Sequence, residues 1–244
     1  MLNAANSWTP YCGAAPTPSE LISSWNLDPA VLVIAAGLAA WSMVRRQETM
    51  GLQLGAVACF TVLFVSPLCA LGSALFSVRV VHHLILTTLL APLIVAGLSL
   101  HRRRVPGSLA VLTAIQALTF WAWHAPPLYA AALGNDALFW VMQVTITGTA
   151  VLWWAKLRQA PSAAAVAALL ATMVQMGLLG ALLTFANSAL YAPHWLTTQA
   201  WGLSPLEDQQ IAGLVMWAPA SAISLLTALT ILYRSLSVTR VAHS

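Results

Sequence analysis

The chain has 244 residues, of which 60% are hydrophobic and only 7% carry a formal charge. A soluble domain holds roughly 25% charged residues, so there is too little polar surface to coat a globule, and the mean hydropathy of +0.82 agrees. This excludes a soluble globular enzyme, a disordered chain and a nucleic-acid binder, and the net charge of +4 reads as loop charge that sets the topology of an integral membrane protein.

The spanning elements are expected to be helices, giving an all-α membrane protein. Long apolar runs interspersed with 13 Pro and 13 Gly show none of the apolar/polar alternation of barrel strands. In chain order, residues 1–29 form a tail without Lys or Arg that carries Glu20 and Asp28. With no compact apolar stretch before a small-residue cleavage site, it reads as an easily translocated acidic segment and not as a secretory signal peptide. A membrane helix needs about 20 mostly apolar residues, and that ruler predicts seven spans, at 30–44, 52–71, 80–98, 108–124, 137–155, 163–186 and 209–233. They form one transmembrane domain over 30–233, followed by a short tail at 234–244. The breaks carry the expected punctuation, such as HRRR at 101–104, APP at 125–127 and KLRQAPS at 156–162.

Alternate loops then fix the orientation. With the N-terminus outside, the inner side receives Arg45, Arg46, Arg102, Arg103, Arg104, Lys156, Arg158, Arg234 and Arg240, whereas the outer side receives Arg79 alone. By the positive-inside rule the N-terminus is outside and the C-terminus cytoplasmic. Cys12, Cys59 and Cys69 form neither a CxxC nor an even set, so no disulfide framework is expected. Cys59 and Cys69 are ten residues apart and do not share a helix face.

Once oriented, the histidines separate. His101 and His243 lie among inner-side arginines as interfacial residues. His82, His83, His124 and His194 collect at the outer face, with Gln143 about two turns deep in span five and Glu207, Asp208, Gln209 and Gln210 opening span seven. Ionisable residues in or at the edge of a span are costly and point to function. Each also has a plainer account. His82 and His83 point about 100° apart, so at most one faces a shared site. His124 ends a Trp-Ala-Trp-His run that suits an aromatic belt, and His194 suits an exposed loop. Gln143 suits an interhelical hydrogen bond. Ser204-Pro205-Leu206-Glu207 has the pattern of a capping box, and Asp208 suits the helix dipole. Met173 and Met176 share a face, where packing accounts for them. Imidazoles near carboxylate and amide oxygen suit a transition metal such as copper, zinc or iron, or the same histidines could ligate a haem iron; spacing does not decide between them, and the metal stays open.

Three stretches resemble a known family. They are Val81-His82-His83-Leu84 with Ala91-Pro92-Leu93, Trp123-His124-Ala125-Pro126-Pro127-Leu128-Tyr129, and Trp201-Gly202-Leu203-Ser204-Pro205-Leu206-Glu207-Asp208-Gln209-Gln210-Ile211-Ala212-Gly213 with Met216-Trp217. Together they resemble the multi-spanning CtaG family of caa3-type cytochrome c oxidase assembly factors, over about residues 25–233. The resemblance implies a non-enzymatic, multi-pass protein of the bacterial inner membrane that helps mature the copper centres of the oxidase. Its partners would be oxidase subunits or other assembly factors, within membrane lipid. His83, His124 and Asp208 carry over as the metal site, with His82, Gln143, His194 and Gln209 as further candidates. Gln143 departs from the Met-His that the family commonly has there, and glutamine is a poorer ligand than imidazole. Two rival readings stand beside this one, a haem-binding redox protein using His83 and His124, and a metal-free scaffold that docks oxidase subunits.

Overall fold

The computed structural model describes residues 10–45 and 48–241, with side chains as far as 237; Arg46, His243 and the side chain of Arg240 lie outside the described residues. Among these, all regular structure is helical. The helices are α1 (Pro29–Arg45), α2 (Met50–Phe64), α3 (Pro67–Ala74), α4 (Phe76–Ile85), α5 (Ala91–Gly97), α6 (Leu109–His124), α7 (Pro126–Leu133), α8 (Asp136–Leu157), α9 (Ser162–Thr184) and α10 (Pro205–Val241).

Each of the seven predicted stretches falls on helix. Among the described residues four segments are long and apolar enough to cross a membrane: Phe76–Gly97, Asp136–Leu157, Ser162–Thr184 and Pro205–Ser237. The stretch predicted at 52–71 is a pair, α2 and α3, bent by 44° at its break. The break is local chemistry. Ser66 accepts the Leu68 N–H at 3.3 Å, and Pro67 starts α3 at the position where its missing N–H costs nothing. The stretches at 30–44 and 108–124 are the shorter apolar helices α1 and α6.

The 80–98 stretch starts earlier than predicted, at Phe76, and passes through a π turn at Leu86–Leu90 before α5. In that register the Thr87 carbonyl would need an N–H from residue 92, which is proline. The Trp154 indole N–H supplies the bond instead, at 2.8 Å, tying α4–α5 to α8.

The bundle has two chemically different ends. At one, Thr49 Oγ1 and Gln53 Nε2 donate to the Gly97 carbonyl at 2.7 and 2.9 Å. There also Lys156 Nζ donates to Val105 O at 3.1 Å and Gln159 Nε2 to Arg103 O at 2.6 Å. Arg158 and Arg234 line one open cavity of about 590 Å³ at that end. At the other, residues 10–28 form a strap. Tyr11 stacks on Phe139 at 5.1 Å and meets Trp140 edge-on at 5.2 Å, its hydroxyl donates to Asp28, and the Trp201 indole donates to Pro16 O at 3.0 Å.

Two expectations are corrected here. Cys12 and Cys69 form a disulfide across 57 residues, leaving Cys59 free. Counting an odd set of cysteines missed the pair because it depends on the tail folding back, through a turn from Pro10 to Gly13 closed at 2.9 Å. Gly13 takes φ +95° there, a backbone conformation that favours glycine. Arg79, expected among the outer-side loop charges, is instead fully buried inside α4, because the helix begins one turn before the apolar run.

Candidate functional site

At the strap end, α4 and α6 bring His83 and His124 together. Nδ1 of His83 lies 3.5 Å from Nε2 of His124, with ring centroids 5.2 Å apart and planes nearly perpendicular. Both rings are buried. His124 reaches this position as the last residue of α6, where Pro126 and Pro127 open a new helix. Its Nδ1 is 2.7 Å from the Phe120 carbonyl, one turn back. A carbonyl accepts only, so Nδ1 carries the proton and the Nε2 lone pair is turned toward His83. Phe120 also stacks on the ring at 4.2 Å. Nε2 of His83 has no hydrogen-bond partner.

The other predicted residues part from this pair. His82 is buried with both ring nitrogens unpartnered and presents its ring to Phe64, at 5.0 Å and 84°. Gln143 is buried with both amide atoms unpartnered and shares no hydrogen bond with either histidine. His194 packs beyond Phe76, its Nε2 paired with the Tyr129 hydroxyl at 2.8 Å. Burial in that loop pushes its pKa down to about 3, so the imidazole is neutral. Asp208 belongs to the start of α4: its carboxylate accepts the N–H of Phe76 at 2.6 Å, the N–H of Ser77 at 3.2 Å and the Ser77 hydroxyl. Gln209 fastens the loop between α9 and α10, accepting the Leu190 N–H at 2.7 Å and donating to Leu183 O at 3.3 Å. Glu207 forms the capping box that its spacing suggests, with Ser204 N to Glu207 at 2.8 Å and Glu207 N to Ser204 Oγ at 3.2 Å. Met176 is buried in the apolar core, as packing requires.

Among the described residues no group of three or more His, Cys, Asp or Glu side chains converges as a metal cage. The histidine pair nevertheless fits a metal by its own geometry. Two metal–imidazole bonds of about 2.0–2.1 Å meet across a 3.5 Å gap, and a ring N–H given to a backbone carbonyl is the usual way a ligating histidine is oriented. Met142 and Met216 are fully buried in the same apolar cluster as Phe76 and Phe120, which touch His124.

Sequence reasoning missed Arg79, the Tyr129 that faces it, and Tyr191, which packs edge-on against Tyr129 at 5.2 Å. Tyr191 donates to the His124 carbonyl at 2.6 Å, satisfying one of the carbonyls that the end of α6 leaves without an intrahelical donor. A lone arginine beside an apolar run was the available signal for Arg79.

A bundle of apolar helices enclosing a buried imidazole pair defines a helical membrane protein with a polar centre near one end. Residues 38–237 match the family model of the cytochrome c oxidase caa3 assembly factor (Caa3_CtaG), and the chain belongs to that family. No curated protein and no solved structure matches it.

Proposed function

We propose that this chain crosses the bacterial inner membrane seven times and handles copper for cytochrome c oxidase at the outer face, with His83 and His124 as the pair that meets the metal. The family supplies the process, assembly of a caa3-type oxidase. The observation that carries the copper reading is the buried pair with a 3.5 Å nitrogen gap and a backbone-fixed His124.

Copper here is cargo, and neutral imidazoles hold it. His124 offers Nε2 because Phe120 occupies Nδ1. His83 offers a nitrogen from the facing helix. The buried rings of Phe76 and Phe120 against the pair keep bulk water from competing for the ion. The close packing between the rings favours an ion over a macrocycle, which needs a cavity of hundreds of Å³. The protein acts by binding and delivery, without a covalent step, and its partners are oxidase subunits or other assembly factors.

The orientation has two supports. Described cationic side chains other than Arg79 gather at the Gly97 end, which the positive-inside rule assigns to the cytoplasm. The Cys12–Cys69 disulfide lies at the other end, and disulfides persist in oxidising compartments. Helices α1 and α6, with 17 and 16 residues, are about 25 Å long at 1.5 Å per residue. With flanking residues they reach across a core of about 30 Å.

The test replaces His83 or His124 by Ala and measures protein abundance, oxidase copper and oxidase haem in the same membranes. Normal abundance with copper-deficient, haem-replete oxidase is the expected result, partly restored by added copper through mass action. His101→Ala, at the other end, is the control. Full oxidase copper in both variants overturns the copper role and leaves a metal-free docking role, in which the 3.5 Å contact is a hydrogen bond between the rings.

A further inference from the structure

Arg79 is unused by the copper reading, and its surroundings are chemically unusual. It is fully buried. Its nitrogens meet neutral acceptors: Nε lies 3.2 Å from Gly72 O and Nη2 lies 3.4 Å from Cys69 O, while Nη1 has no partner. Nη2 also lies 3.8 Å from the Cys12 sulfur, and the guanidinium sits 5.3 Å from the Phe139 ring. The fold makes room for it, since a Cβ on Gly72 would stand 3.0 Å from the guanidinium carbon. Arginine is charged at any accessible pH, and a buried charge without an opposite one is strongly unfavourable.

The groups that might answer this charge are already committed. Asp208 is bound to Phe76 and Ser77. Glu20, at the strap, accepts the N–H and the hydroxyl of Thr17 at 3.0 and 2.8 Å. Tyr129 faces Arg79 from α7, but burial pushes that phenol further above its ordinary value. His82 faces it from its own helix and cannot become an anion. The Cys12 sulfur, already in contact, becomes one when the disulfide opens.

We propose that Cys12 and Cys69 are a redox-active pair at the outer face, in which Arg79 stabilises the Cys12 thiolate and the partner is a disulfide or dithiol of a peptide or protein on the same side. Both cysteines are buried, but Cys12, 4% exposed, lines an open cavity of about 400 Å³ with Gly13, Ala14, Glu20 and Ala70, whereas Cys69 has no exposed surface and does not line it. That sets the order of events. The Cys12 thiolate attacks one sulfur of the external disulfide; a Cys12–partner bond forms, the external S–S bond breaks, and the released thiolate takes a proton from water. Cys69 then loses its proton to the second partner sulfur and attacks the Cys12 sulfur, forming Cys12–Cys69 and expelling that sulfur as a thiol. Two electrons pass from the chain to the external disulfide. The reverse sequence takes two electrons from an external dithiol.

The test uses the purified full-length protein in detergent, with dithiothreitol, iodoacetamide and oxidised glutathione as probes. Dithiothreitol should open the disulfide in the folded protein without denaturant. Cys12 should then be alkylated with a pH midpoint one unit or more below the ~8.5 of a free thiol, and Arg79→Gln should raise that midpoint by at least one unit. After reduction, Cys69→Ser should trap a glutathione adduct on Cys12, and Cys12→Ser should trap none on Cys69. If Arg79→Gln fails to fold, the wild-type midpoint and the trapping pair decide. A disulfide that opens only on denaturation, or a wild-type midpoint at ~8.5, overturns the proposal. Neither result depends on oxidase copper, so this reading and the copper reading fail separately.

Discussion

The carboxylate of Asp208, at the start of α10, accepts the backbone N–H of Phe76 at 2.6 Å across 132 residues of sequence. It is the N-terminal cap of α4, supplied from another helix. Leu75 at the cap position has no side-chain acceptor, so the first N–H groups of the helix that carries Arg79, His82 and His83 are satisfied from α10. Asp208→Ala would leave the Phe76 and Ser77 N–H groups buried and unpaired, at roughly 1–3 kcal/mol each. The variant should lose several degrees or more of thermal stability in detergent. Asp208→Asn, which keeps an acceptor oxygen, should lose less. Equal losses in the two would show that the carboxylate is not acting as the cap.

That relationship also shows where the sequence stops being legible. The helices follow from hydropathy and punctuation, because each apolar run must satisfy its own backbone in lipid. The capping box at Ser204 and Glu207 is visible for the same reason: it closes within four residues. Asp208 has a duty set by a helix 130 positions away, and the Cys12–Cys69 bond depends on how the strap folds back. The His83–His124 pairing was legible as shared depth on consecutive spans. The Phe120 bond that orients His124 follows from one-turn spacing. The separation of Asp208, His194 and Gln209 from that pair needed the side chains.

Helices α9 and α10 approach closely at two glycines. A Cβ on Gly213 would stand 2.6 Å from the Gly180 carbonyl oxygen and 2.3 Å from Thr184 Oγ1, and one on Gly180 would stand 2.7 Å from the Gly213 carbonyl. Alanine ordinarily favours a helix over glycine by about 1 kcal/mol, but here the helices would have to separate, and overpacking costs roughly 1–3 kcal/mol. Gly213→Ala should therefore lower the melting temperature, whereas Gly37→Ala, where the Cβ meets nothing within 4 Å, should not. A Gly213→Ala protein as stable as the parent would mean that this close approach is absent.

The strap should have a pH window. Asp28 is held below the ordinary carboxylate range by the Tyr11 hydroxyl first and the Ala30 N–H second. Its contribution is complete above ~3.9 and is lost as pH falls through the lower folded value. Tyr11 is pushed up to about 12, by burial first and by Asp28 second. Its contribution is complete below ~10 and is lost as pH rises through about 12. Hydrogen exchange across residues 10–28 should be slowest between about pH 4 and pH 10 after correction for intrinsic rates. Tyr11→Phe keeps the stacking on Phe139 and Trp140 but removes the hydroxyl, so it should flatten both edges of the window. A profile unchanged by that substitution would place the coupling elsewhere.

Sidedness is tested with single cysteines in a Cys59→Ser background, where Cys12 and Cys69 remain bonded to each other. Ser19 is exposed on the strap, and Gln159 is exposed beside Arg158 at the opposite end. If arginine-rich loops face the cytoplasm, a membrane-impermeant maleimide added to intact spheroplasts should label Ser19→Cys. It should reach Gln159→Cys only after the membrane is opened. The contrast comes from the physical barrier and not from reactivity, since both positions are solvent-exposed and should label alike in detergent. Labelling of Gln159→Cys alone in intact spheroplasts would invert the topology. It would also put the His83–His124 pair and the Cys12–Cys69 bond at the cytoplasmic face, where delivery of copper to an outer-face centre would have no route.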